Sequence, residues 1–310
     1  MIRRRTLIAA AGFLATLASL RAVAPTAAAA PPPARPAAAH RRPIPRSGEL
    51  LPVIGLGTWI TFDVGPVRRD RDERRRILAE FFARGGSAID SSPMYGRAEE
   101  VLGDLLPGIA GSERLFAATK VWTPGRALGV RQMELSHTLW RVERFDLMQI
   151  HNLLDWRAHL PTLQRGREEG RFRYIGITTS HGRRHDEIEA LMRSEPVDFV
   201  QLTYSLVDRR AEDRLLPLAL DRGIAVIANR PFDGGGLFDV VRGRPLPPWA
   251  AEIDCENWAQ YFLKFIVSHP AITCAIPATS RSEHLIQNMG AGFGRMPDPA
   301  LRRRMQREFE

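Results

Sequence analysis

Leu115-Phe116-Ala117-Ala118-Thr119-Lys120 is a continuous apolar run that closes on an ammonium. Unbroken rather than alternating apolar character is the signature of a strand buried on both faces. The lysine stands out because only two of the 44 basic side chains are lysines and the rest are arginines. In a chain so tolerant of guanidinium, a compact charge whose proton affinity can be tuned points to chemistry.

Working outward, Asp90 closes the run Gly86-Ser87-Ala88-Ile89-Asp90, thirty residues before Lys120, and His151 closes Phe145-Asp146-Leu147-Met148-Gln149-Ile150-His151, thirty-one after it. Helical patterns fill the gaps at 97–106 and 128–142, so each step is one strand, one helix and two loops. Repeated around a parallel barrel, a unit of that size brings the end of every strand to one rim, where barrel enzymes place their sites. Further short apolar runs at 174–178, 199–202, 224–228 and 272–276, with an opening one at 53–56, complete eight strands, and helical patterns at 186–193 and 257–268 keep the period. No Gly-x-Gly-x-x-Gly turn follows the first strand, which argues against a doubly wound open sheet. The expectation is a single α/β domain, a parallel (β/α)8 TIM barrel over 49–310.

The first 48 residues read differently. Arg4-Arg5 precede an apolar stretch of 14 residues, 7–20, which is too short for a bilayer span of about 20. A twin-arginine signal peptide over 1–30 and a disordered Pro/Ala-rich linker over 31–48 are expected, with the protein exported to the periplasm or beyond through the twin-arginine machinery. An uncleaved tail or a start codon placed too early would have the same composition. This segment carries eight arginines and no acid, so it accounts for eight of the nine excess positive charges. The remaining balance of one gives no reason to expect a nucleic-acid partner or stable membrane insertion. Two cysteines make no disulfide framework, and the scattered histidines offer no metal-ligand spacing, so no metal is expected.

Three segments at the strand ends carry a resemblance: Asp90-Ser91-Ser92-Pro93-Met94-Tyr95-Gly96, Ala118-Thr119-Lys120-Val121-Trp122 and Asp146-Leu147-Met148-Gln149-Ile150-His151-Asn152. They resemble the signature segments of the aldo-keto reductases, as do Gly55-Leu56-Gly57-Thr58-Trp59 and Glu99-Glu100-Val101-Leu102-Gly103, over about residues 50 to 293. The resemblance implies NAD(P)H-dependent interconversion of carbonyls and alcohols, with Asp90, Tyr95, Lys120 and His151 as the catalytic set. Reduction needs a hydride at carbon and a proton at oxygen, and the nicotinamide supplies only the hydride. Tyr95 would give the proton, made more acidic by Lys120, which Asp90 would hold, while His151 would orient the carbonyl oxygen.

For the cofactor, the resemblance implies Thr178 and Thr179 where the family usually has Ser-Asn, Gln201, Asn229 and Arg230 where Tyr-Ser is usual, and Arg281 and Asn288 toward the adenosine. The family's usual basic positions are Ala278 and His284, which leaves Arg281 for a 2′-phosphate. NADPH is expected, with NADH possible in its place. A small carbonyl substrate would meet Trp59, Trp122 and Trp156, and the loop from Asp233 to Trp249 would clamp the cofactor or merely connect. The alternative is an NADPH-binding regulatory or redox-sensing barrel with little turnover.

Overall fold

The computed structural model describes residues 39–309; the expected signal peptide lies outside the described residues. Two short antiparallel strands, β1 (Arg41–Pro43) and β2 (Leu50–Pro52), precede eight parallel ones: β3 (Leu56–Gly57), β4 (Ala88–Asp90), β5 (Phe116–Val121), β6 (Phe145–Ile150), β7 (Phe172–Thr178), β8 (Phe199–Thr203), β9 (Ala225–Asn229) and β10 (Ile272–Ala275). The eight pair in sequence order. Bridges Ile54 to Ala275 and Gly57 to Ala278 join first to last and close the barrel. Glycine is required at that seam: a Cβ on Gly57 would stand 2.7 Å from the Ile276 carbonyl oxygen.

Helices α1 (Arg68–Ala83), α2 (Ala98–Leu105), α3 (Arg126–Trp140), α4 (Trp156–Glu168), α5 (His185–Ser194), α6 (Leu215–Arg222) and α8 (Trp258–Val267) connect the strands; α7 (Gly236–Val240) is one extra turn, and α9 (Ser282–Gly290) and α10 (Pro299–Arg307) follow β10. Capping explains two starts: the Asn257 side chain accepts from Gln260 N–H, and Asp298 accepts from Leu301 N–H with Pro299 at the first turn. In α1, Ile77, Leu78, Phe81 and Phe82 form the buried stripe, confined to the last two turns. Just before that stripe Arg75 and Arg76 are exposed, while Arg74 is half-buried. Arg74 donates to the carbonyls of Thr61 at 2.6 Å and Ser280 at 3.2 Å, tying together the loops that leave β3 and β10.

The expected linker is folded in its last part. The β1–β2 hairpin inserts Ile44 and Leu51 among Phe116, Leu147, Tyr174, Phe199 and Ile227, inside the barrel at the strands' N-terminal ends. Each such side chain is worth about 1.5–3 kcal/mol of burial, which explains why a Pro- and Arg-rich stretch adopts one structure. Cys255 and Cys274 are free and buried. No helix among the described residues is long and apolar enough to cross a membrane.

Candidate active site

The register places the chemistry at one end. Asp90 is the last residue of β4 and pairs with Gly57; Lys120 in β5 pairs with Gln149 in β6; His151 follows β6 directly; Thr178 ends β7 and pairs with Gln201. All point to the C-terminal rim, where a cavity of about 560 Å³ opens.

Lys120 and Asp90 form an ion pair of 2.6 Å in which the lysine is fully buried. Such a pair survives desolvation only if its remaining valences are filled. Most are: Lys120 also donates to the Ser91 carbonyl at 2.7 Å and has Tyr95 beside its third N–H, and the other Asp90 oxygen accepts from Gln149 at 3.1 Å and Gln201 at 2.9 Å. Burial alone would depress the lysine, but Asp90 and Tyr95 together outweigh it and hold the ammonium above the ordinary lysine range. Sequence reasoning missed Gln149, although a glutamine between Met148 and Ile150 in a buried strand was the available signal.

The Lys120 Nζ lies 5.1 Å from the centre of the Tyr95 ring, close enough for ammonium and phenol to interact directly. Burial pushes the phenol above its usual value, Lys120 pulls it down, and the Asp90 charge pushes it up again. Burial wins. Lys120 acts in the expected direction and lowers the cost of phenolate, but it does not reverse the balance, so the resting phenol is held above the ordinary tyrosine range. His151 is held neutral, its pKa pushed down to about 3 by burial and then by the neighbouring Lys120 charge. Its ring meets Tyr95 edge-on at 5.7 Å and Trp122 at 6.3 Å, and its Nδ1 is 2.8 Å from Ser92 Oγ.

Asp90, Tyr95, His151, Thr178, Thr179, Gln201, Asn229, Arg230, Trp59 and Trp122 all line the cavity, whereas Lys120 lies beneath it, behind Tyr95. Gly234, Gly235 and Phe238 of the loop after β9 line it too. Several expected cofactor residues are already engaged. Gln201 spends its amide N–H on Asp90, leaving its carbonyl oxygen for the cavity; Asn229 donates to the Thr179 carbonyl at 2.8 Å and accepts from Thr203; Thr179 Oγ1 donates to the Arg183 carbonyl at 2.5 Å; Thr178 Oγ1 accepts from Asn152 N–H at 2.9 Å and keeps its proton. A nicotinamide carboxamide thus fits Gln201 as acceptor and Thr178 as donor better than Thr179. Arg230 is held at φ 50° beside Asp233, a guanidinium facing the cavity where an aromatic ring was missed.

Three expected residues are not brought to the cavity. Trp156 starts α4 and sends its indole N–H to Glu187 on α5 at 2.7 Å, with the Arg157 guanidinium 4.4 Å above it; a half-buried indole takes the nearest acceptor. Arg281 is exposed and paired with Glu283 at 2.8 Å, while the neighbouring Ser282 N–H at the start of α9 donates to Glu73 at 2.7 Å. Asn288 is buried in α9.

A model of the aldo/keto reductase family matches residues 53–300. The methylglyoxal reductase YeaE of Escherichia coli is 26% identical over 250 residues, 78% of this chain and 86% of that protein. An NADH-specific methylglyoxal reductase of the same organism is 28% identical over 228 residues, 62% of this chain and 67% of that one. The crystal structure of an aldo/keto reductase from Klebsiella pneumoniae in complex with NADP and acetate has a TM-score of 0.72 at 25% identity, covering 84% of this chain and 93% of that one.

Proposed function

The chain belongs to the aldo/keto reductase family, and from that premise we propose that this NAD(P)H-dependent carbonyl reductase converts small aldehydes or ketones to alcohols with Tyr95 as general acid. The observation that carries the reading is the Tyr95 phenol at the cavity wall with the buried Lys120 ammonium 5.1 Å from its ring. When bound, the dinucleotide supplies a hydride to the carbonyl carbon. Thr178, Gln201, Asn229 and Arg230 are the residues to hold it, at the cavity wall.

His151, neutral, hydrogen-bonds the carbonyl oxygen and orients it beside the Tyr95 hydroxyl. As charge develops on that oxygen, Tyr95 passes its proton across. Lys120 then sits against the resulting phenolate, and its full positive charge is secured by Asp90, Gln149 and Gln201. The apolar walls Trp59, Met94, Trp122 and Phe238 suit small carbonyls; the relatives' names make 2-oxoaldehydes the first substrates to try.

Steady-state oxidation of NADPH and NADH with a panel of aldehydes and ketones tests the reading. Turnover with at least one small carbonyl is expected; tight dinucleotide binding without turnover would favour a sensor instead.

The same proposal places the protein outside the cytoplasm, on the support of the Arg4-Arg5 leader alone. Replacing Arg4 and Arg5 with lysines is expected to retain the protein in the cytoplasm, read by fractionation; undiminished export would remove the twin-arginine route.

A further inference from the structure

We propose that Ser92 is a positioning residue that fixes the tautomer of His151, so that the imidazole turns an Nε2–H donor toward the reacting oxygen. The effect on rate rests on the carbonyl reduction proposed above; the tautomer itself does not.

Ser92 is wholly buried, and its hydroxyl lies 2.8 Å from His151 Nδ1 while accepting from the Met94 N–H at 3.2 Å. A serine hydroxyl has one proton to give and two lone pairs to receive with. Suppose the imidazole proton were on Nδ1. Ser92 Oγ would then accept from both Met94 and His151, and its own buried O–H would point at no acceptor, which is costly. Moving the proton to Nε2 satisfies Ser92 and Nδ1 together, Met94 N–H to Ser92 Oγ and Ser92 O–H to Nδ1, and leaves Nε2–H for the cavity that His151 lines.

The turn that carries Ser92 is stiff. Tyr95 N–H donates to the Ser92 carbonyl at 2.9 Å, and Pro93 occupies the second turn position, where its fixed φ is preset for the bend. One four-residue turn therefore holds the phenol and, through Ser92, aims the imidazole it meets edge-on. An imidazolium would make the tautomer irrelevant, but burial and the Lys120 charge exclude it near neutral pH. A neutral ring with the wrong tautomer would present a lone pair to the carbonyl oxygen and repel it.

Imidazole ¹⁵N NMR of the purified protein tests this, with His151→Gln assigning the signal. Wild type is expected to show His151 as one Nε2–H tautomer between about pH 5 and 8. Ser92→Ala, and Ser92→Cys, which keeps the volume but donates poorly, are expected to show a mixture with Nδ1–H. Carbonyl reduction in Ser92→Ala should fall in kcat by about tenfold, as expected for a mis-set catalytic imidazole that is still partly populated correctly, with dinucleotide Kd unchanged. An Nδ1–H wild type, or a wild-type His151 signal in the folded variants, overturns the proposal; a rate loss with unchanged tautomer does so as well, because it marks a packing role. If Ser92→Ala fails to fold, Ser92→Cys decides. A protein without carbonyl turnover whose His151 tautomer still depends on Ser92 would sink the proposed reaction and leave the Ser92 assignment standing.

Discussion

The barrel carries a tyrosine, a cation and carboxylate at each end, and the two clusters are built to opposite purposes. At the C-terminal rim, Tyr95 lies over Lys120 and Asp90; at the N-terminal end, Tyr174 lies under the Arg173 guanidinium at 5.3 Å, with Glu49 and Asp146 beside it. The N-terminal cluster closes on itself. The Tyr174 hydroxyl is engaged by Ser47 at 2.7 Å and Glu49 at 2.8 Å, and Arg173 bridges Glu49 and Asp146, so every strong group has a partner and the hairpin is pinned across the barrel mouth. The C-terminal cluster is satisfied only from below. Its ammonium gives two of its three N–H donors to Asp90 and Ser91 and lies against the phenol, which faces a cavity. A side chain whose demands are met inside the chain stabilises; one left facing a pocket is available for a ligand.

The sharpest way to break this contrast is the pair Tyr95→Phe and Tyr174→Phe. Tyr95→Phe should lower kcat for carbonyl reduction by about 10²–10⁴-fold, the usual worth of a positioned acid, with unchanged melting temperature and dinucleotide Kd. Tyr174→Phe should do the reverse, leaving kcat intact and costing about 1 kcal/mol in denaturant unfolding. Equal kinetic effects from both would erase the distinction.

Lys120→Met and Arg173→Met extend the comparison to the cations. Removing Lys120 strands the buried Asp90 carboxylate, and about 3–5 kcal/mol of stability should go with it, along with most turnover. Arg173 and Glu49 are each about one-third exposed, so water takes up much of the loss, and about 1 kcal/mol is expected. Lys120→Arg should also be severely damaging, because a planar guanidinium does not fit a site shaped around a point charge.

The smallest effect concerns acid. His151 and His269 have pKa values pushed down to about 3 and about 4 by burial, the latter also by Arg302 and Arg42. Each titrates near 6.5 once unfolded. Below that value the unfolded chain binds protons that the folded one refuses, so stability should fall as pH drops from about 6.5 toward 4. His151→Gln should flatten part of that slope at the rim, read as melting temperature against pH, while Tyr174→Phe should leave it unaltered. An unchanged slope in His151→Gln would mean the imidazole is not held neutral.

Much of the site was legible because its residues end strands. Asp90, Lys120 and His151 recur at the length of a βα unit, and the barrel turns that spacing into proximity. The hairpin was not legible: Arg41-Arg42-Pro43 reads as linker, and its order comes from distant partners, such as the Arg42 contacts to the carbonyls of Val267 and Pro270 at 3.1 Å. Ser92 was equally hidden, since a serine after a strand gives no sign of the histidine 59 residues on that it aims. Arg281 and Trp156 show the complementary limit. The sequence names their side-chain types but not their neighbours, and the fold sets each outside the cavity beside an acid, Glu283 and Glu187.

The barrel and the chemical groups that reach its rim are written along the chain as strand periodicity and spacing. Their proton states are set by the folded environment. Whether Tyr95 keeps its proton, Lys120 its charge and His151 its neutrality depends on water removed and charges brought near by segments far apart in sequence.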